Sequence, residues 1–331
     1  MKYRIFKSRS TGDFLKMTKQ PNFLERIEME HKELVARKVR GTYDHFSRPE
    51  NFTKNRHIYF PCWDHSRVIL KPPSTGIPTI YEIACDYIHA NYVDGFTEKK
   101  KFICTQSPMK NTMFDFWRMV YQENCHIIMS ITKIDNTKEY FYHYWFNNKH
   151  RDLVFGRYAI RLLGFIEEKS LIRARIRLTD TKRNISREIY HFWFTNGPFY
   201  YGRRVNSLEL LNLIIQVDQK REELRKKVDS GPGPIVIHCS RIRSWSGIFC
   251  TIDNALSQVR EKNTVSIPKT IRNIRKQLHS SMYGFEEYES CYAVLWTAIL
   301  QKKLYEHGYY KLSCLPPTEA AIVNYFFPQP D

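Results

Sequence analysis

The residues with the most chemistry to offer are His238, Cys239 and Ser240, followed a short way on by Ser246 and Gly247. A cysteine becomes a strong nucleophile once it is a thiolate, and its surroundings decide whether that happens. Before it runs the β-branched apolar stretch Ile235, Val236, Ile237; after it Ile248, Phe249, Ile252, Ala255, Leu256 and Val259 recur at helical spacing. This pattern predicts a buried strand, a tight loop and a helix. Cys239 then lies where backbone amides and the positive end of a helix dipole converge, which suits an anion and favours the thiolate. Phosphate chemistry fits such a place. A plainer reading makes Cys239 an ordinary buried thiol, common for cysteine.

The stretch resembles the signature of the protein tyrosine phosphatases: His-Cys, a variable run, Arg, then Ser or Thr and Gly. His238, Cys239, Ser240, Ser246 and Gly247 stand in register. The resemblance makes Cys239 the nucleophile position and puts Trp245 where the family has its phosphate-binding arginine. Ile242 and Ser244 replace glycines of the loop. A guanidinium forks onto two phosphoryl oxygens, whereas an indole has a single donor. Losing one preorganised transition-state donor costs ~3–4 kcal/mol. A β-branched Ile242 also resists the backbone of an amide nest. Arg241 and Arg243 are candidate anion-binding residues, although both precede Trp245, inside the loop, where side chains point away from the nest.

Other stretches carry the same resemblance in the family's order. Lys54-Asn55-Arg56-His57, with Asp64, Arg67 and Val68 beyond, resembles the Lys-Asn-Arg-Tyr loop; His57 takes the place of the tyrosine that walls the phosphotyrosine pocket, and Tyr59 that of an aspartate that anchors substrate. Asp86 to Phe96, Lys101 to Pro108 and Asn111 to Val120 match scaffold motifs. His191 to Phe199 resembles the mobile loop whose aspartate protonates the leaving group, but Phe199 occupies the acid's position and Gly197 that of a tryptophan. A general acid contributes ~10²–10⁴ in rate, and a phenyl ring has no proton to give. His191 matches a strand histidine of the family, so its expected role is structural. Tyr283 stands where the family has the glutamine that positions water.

The elements that must position these residues are legible from periodicity. Residues 13–40 read as a helical lead-in, Asn111 or Thr112 as the cap of a helix burying Phe116, Trp117 and Val120, and Ile127 to Ile131 as a central strand. Between 158 and 178 apolar and basic residues alternate: Ile172, Ala174, Ile176 and Leu178 point one way, Arg173, Arg175 and Arg177 the other, as on a half-solvated antiparallel sheet. A helix from Leu208 to Arg225 returns through a Gly/Pro turn to the strand before Cys239. The resemblance implies an α/β fold: a single protein tyrosine phosphatase-like domain with a twisted mixed central sheet flanked by helices. It would span 22–300, with 1–21 as a lead-in and 301–331 as a short exposed tail.

The chain of 331 residues carries 52 Lys plus Arg against 34 Asp plus Glu, a formal net charge of +18. The excess is spread along the sequence, so it reads as a solvated surface rather than a nucleic-acid or anionic-membrane patch. The eight cysteines have neither zinc nor disulfide spacing and are expected reduced. Neither signal core nor membrane-spanning run is present, and the sequons at Asn51 and Asn184 are expected to be unused. No cofactor or metal is implied. With the arginine, acid and water-positioning residues all changed, the resemblance implies a catalytically inactive phosphatase-like protein that acts by binding, the alternative being a residual phosphatase using Cys239. Its basic composition and scattered motif erosion are similar to the tyrosine-phosphatase-like proteins of bracoviruses. That similarity implies a place in the cytoplasm of infected host cells, with host signalling or phosphorylated proteins as partners and host immunity as the target.

Overall fold

The computed structural model describes residues 5–72, 79–131, 144–145, 151–195, 206–239, 245–307 and 322. The chain opens with β1 (Arg9–Ser10), α1 (Thr11–Thr18), α2 (Phe23–Ala36), β2 (Arg67–Ile69), α3 (Ile80–Ala84), β3 (Tyr87–Val93), β4 (Phe102–Gln106), α4 (Met113–Gln122) and β5 (Ile127–Ile131). Then come β6 (Leu153–Phe155), β7 (Tyr158–Glu167), β8 (Leu171–Asp180), β9 (Ile185–Phe194), α5 (Ser207–Lys227), β10 (Ile235–Cys239), α6 (Trp245–Lys262), β11 (Thr264–Val265), α7 (Ile267–Arg275) and α8 (Phe285–Glu306).

The main sheet has the order β2-β3-β4-β10-β5-β9-β8-β7-β6 among the described residues. Its centre, β4-β10-β5-β9, is parallel and its flanks are antiparallel. Parallel strands need both faces covered, which explains why β5 and β10 are buried at every residue. Because side chains alternate along a strand, Ile235, Ile237 and Cys239 enter one apolar cluster with α5, α6, α7 and α8, while Val236 enters the other, against α4. The alternation expected in 158–178 is present in β8: Ile172, Ala174, Ile176 and Leu178 are buried, and Arg175 and Arg177 are exposed.

Several expectations change in detail. The helical lead-in is two helices, separated at Lys19–Asn22, because Pro21 disfavours helical backbone in the residue before it. Within the lead-in, Phe14 and Met17 lie in the main core, and β1 pairs with β11. Beyond residue 300, where an exposed tail is expected, α8 continues to Glu306, Lys302 is buried and Ile322 sits in the core; 308–321 and 323–331 lie outside the described residues. Thr112 does stand before α4, but its hydroxyl turns back to accept from Met109 N at 2.9 Å instead of capping the helix. The seven described cysteines are free of disulfides.

Candidate functional site

Cys239 is the last residue of β10, held between β4 and β5 in register with Gln106 and Ile131. Its carbonyl accepts from Ser107 N at 3.1 Å, which ties the strand end to the residue just beyond β4. The thiol is fully buried, and its Sγ lies 3.6 Å from Ser246 Oγ. α6 is described from Trp245 onward, ahead of the apolar positions Ile248 and Phe249. The indole is 7% exposed and belongs to the same buried cluster as Cys239, Ile248 and Phe249. Gly247 is needed for room: a Cβ there would meet Ser281 Oγ at 2.1 Å. Through that contact, Ser281 and Met282 lie over the first turn of α6, and Tyr283, next in the chain, is 60% exposed.

The Lys54-Asn55-Arg56 segment is a bracket. Gln106 at the end of β4 accepts from Arg56 N at 2.9 Å and donates to Lys54 O at 2.7 Å, while Arg56 Nη2 donates to Ser107 O and Pro108 O. Asn55 donates to Phe46 O and Asn51 O and accepts from the Tyr87 hydroxyl. These bonds fix the segment beside the strand ends and leave His57 exposed, its ring 5.3 Å from that of Phe60. Tyr59 is 79% exposed. Phe199, Arg241, Arg243, Ile242 and Ser244 lie outside the described residues.

A buried polar chain behind Cys239 has no counterpart in the sequence reading. His238 faces away from Cys239, toward α4, with its ring edge-on to Phe116. Its Nδ1 is 3.1 Å from Ser107 Oγ, and its Nε2 is 2.6 Å from the Tyr144 hydroxyl. The same hydroxyl is 2.6 Å from His191 Nε2, and the His191 ring packs on Trp145. Burial pushes His238 down to about 3, with Arg56 adding to the shift, and burial followed by the neighbouring His238 holds His191 well below its ordinary value. Both rings are therefore neutral. Tyr144 has one proton and receives one, so one of the two Nε2 atoms donates to it and the other accepts. His191 Nδ1 is buried without a hydrogen-bond partner among the described residues. The structural role expected for His191 fits this geometry. Tyr144, His191 and His238 come from three separate segments, so no spacing in the sequence could have grouped them.

The described residues hold no cluster of three or more His, Cys, Asp or Glu able to bind a metal, and no helix among them is long and apolar enough to cross a membrane. Compared with known proteins, residues 51–297 match the family model described as protein-tyrosine phosphatase. The chain is 56% identical over 322 residues, 97% of its own length and 95% of the relative's, to tyrosine phosphatase-like protein H1 of Microplitis demolitor bracovirus (isolate Webb). It is 44% identical over 302 residues, 88% of this chain and 94% of the other, to tyrosine phosphatase H3 of the same virus. To the human tyrosine-protein phosphatase non-receptor type 9 it is 28% identical over 277 residues, 81% of this chain but 45% of that one.

Proposed function

The chain belongs to the protein-tyrosine phosphatase family, and on that premise we propose that it is a noncatalytic member that works by binding. The observation that carries this reading is the buried indole of Trp245 in the first turn of α6, in one cluster with Cys239. The position taken in the family by a phosphate-clamping guanidinium is here part of the apolar core. An indole offers one donor and cannot hold two phosphoryl oxygens. Phe199 stands at the acid position and Tyr283 at the water-positioning one, so protonation of a leaving group and positioning of the attacking water both lack the residue that would perform them. Losing clamp and acid together removes on the order of 6 kcal/mol of transition-state stabilisation, about four decades in rate.

What such a protein binds is set by its scaffold and charge. The motifs that hold the cleft together are kept, and the formal charge of +18 favours acidic or phosphorylated protein partners. Similarity to bracovirus proteins supports host signalling proteins, encountered in the cytoplasm of an infected host cell, with suppression of host immunity as the outcome. The retained Cys239, with Ser246 Oγ at 3.6 Å, favours a residual phosphatase as the second reading. One experiment separates the two: turnover of a phosphotyrosine peptide and of an aryl phosphate by the whole chain and by Cys239→Ser. No turnover above the Cys239→Ser background is expected. A rate within tenfold of active family members, abolished by Cys239→Ser, overturns the proposal.

A further inference from the structure

Between the C-terminal end of α2 and α7 lies a pocket of about 260 Å³ that shares no residue with the Cys239 site. Six cations line it: Arg37, Lys38 and Arg40 from the chain leaving α2, Arg272 and Arg275 from α7, and Lys276 just after it. Arg37 is paired with Glu33. No carboxylate among the described residues pairs with the other five. Arg275 is 8% exposed, and its Nη1 is buried without a hydrogen-bond partner among the described residues. A buried guanidinium nitrogen left without a partner is costly. Burial accordingly lowers the Arg275 pKa, against the opposing effect of Tyr283. The arrangement is also braced, because the guanidiniums of Arg37 and Arg272 stand 4.8 and 4.9 Å from the ring centre of Phe6.

We propose that this pocket between α2 and α7 is a binding site for a compact, multiply charged phosphate ligand, with Arg275 as its buried donor. The chemistry is selective in two ways. Like charges gathered around one concavity repel each other until an anion enters, and guanidinium forks match phosphate oxygens in pairs. The apolar lining is restricted to Leu34 and Val39, so nothing there walls an aromatic ring. The site thus fits a phosphorylated polyol better than a phosphotyrosine side chain. At about 260 Å³ it lies below the usual range for drug-sized ligands, and one or two phosphates are what it can enclose. Lys276 also lines a neighbouring pocket in which Lys99 is paired with Asp94, and there Lys262 and Lys269 would carry further phosphates of the same ligand. A soluble inositol polyphosphate and a phosphoinositide headgroup share this chemistry.

The test is calorimetric titration of the full chain with inositol hexakisphosphate, beside sedimentation with vesicles containing phosphatidylinositol bisphosphate or, at equal surface charge, phosphatidylserine. Saturable binding of the soluble probe is expected, weakened about tenfold or more by Arg275→Gln and by the exposed double variant Arg272→Gln/Lys276→Gln. The control Lys227→Gln/Arg225→Gln, which removes two cations from α5, should leave affinity unchanged. Phosphoinositide vesicles pulling down the chain more than phosphatidylserine vesicles assigns the headgroup as the source; binding of the soluble probe without that preference assigns the free polyphosphate. Absence of saturable binding of the soluble probe overturns the site, as does equal weakening by the α5 control. The rim variant keeps the test valid if Arg275→Gln does not fold.

Discussion

On the proposed reading Trp245→Arg would put the family's residue back at one position, and the burial of Trp245 gives reason to expect it to fail. The indole is 7% exposed. Burying a side chain of that size removes on the order of 200 Å² from water, worth ~5 kcal/mol. An arginine stem recovers part of this, leaving a net loss of about 3–4 kcal/mol. With an unfolding entropy of about 2.1 cal/mol/K per residue over 331 residues, that is a fall in Tm of ~5 °C. The possible gain at the transition state, ~3–4 kcal/mol for a well-placed donor, requires a loop that cradles phosphate, and Ile242 and Ser244 remain where glycine is needed. The single variant should therefore melt lower and still show no turnover. Ile242→Gly, Ser244→Gly, Trp245→Arg and Phe199→Asp together should restore vanadate binding first and turnover second, since clamp and nest hold the anion while the acid serves the leaving group. Thermal unfolding, vanadate calorimetry and aryl phosphate hydrolysis across the series measure each step. Turnover by Trp245→Arg alone, with unchanged Tm, would refute the reasoning, and tight vanadate binding by the unmodified chain would show that its present loop already forms an anion site.

Three further outcomes follow from packing and charge. His89 and His238 are both pushed down to about 3, chiefly by burial; the unfolded chain binds these protons below about 6.5, so each should subtract up to ~1.4 kcal/mol per pH unit as pH falls from there toward 3, and a flat stability profile in urea between pH 7 and 5 would contradict it. Tyr144→Phe strands the Nε2 atoms of His191 and His238 in the core and should cost about 1–3 kcal/mol in denaturant unfolding; an unchanged midpoint would mean the chain of hydrogen bonds adds nothing. Gly247→Ala should destabilise by about 1–3 kcal/mol because its Cβ meets Ser281 Oγ, and Gly247→Ala/Ser281→Gly should recover most of that loss, with no recovery counting against a steric cause.

The amino-acid sequence by itself determined the elements and their chemistry. The apolar run before Cys239, the spacing after it and the alternation through β8 all report local rules, period 2 or period 3.6, and those rules hold wherever the core is continuous. The identity of Trp245, Phe199 and Tyr283 was equally legible, because the absence of a guanidinium, an acid or an amide is a property of the residue itself. What the tertiary structure decided is which residues meet. Ser107, Tyr144, His191 and His238 form one buried chain because the parallel pairing of β10 and β9 with β5 brings distant segments side by side. Phe14 and Ile322 join the same core although both lie outside the 22–300 span that the family resemblance implied for the domain. Arg275 reads as one more helix charge until α2 packs across it and turns it into a buried guanidinium in a basic pocket. Periodicity is set by neighbours along the chain, whereas burial, pairing and charge focusing are set by neighbours in space.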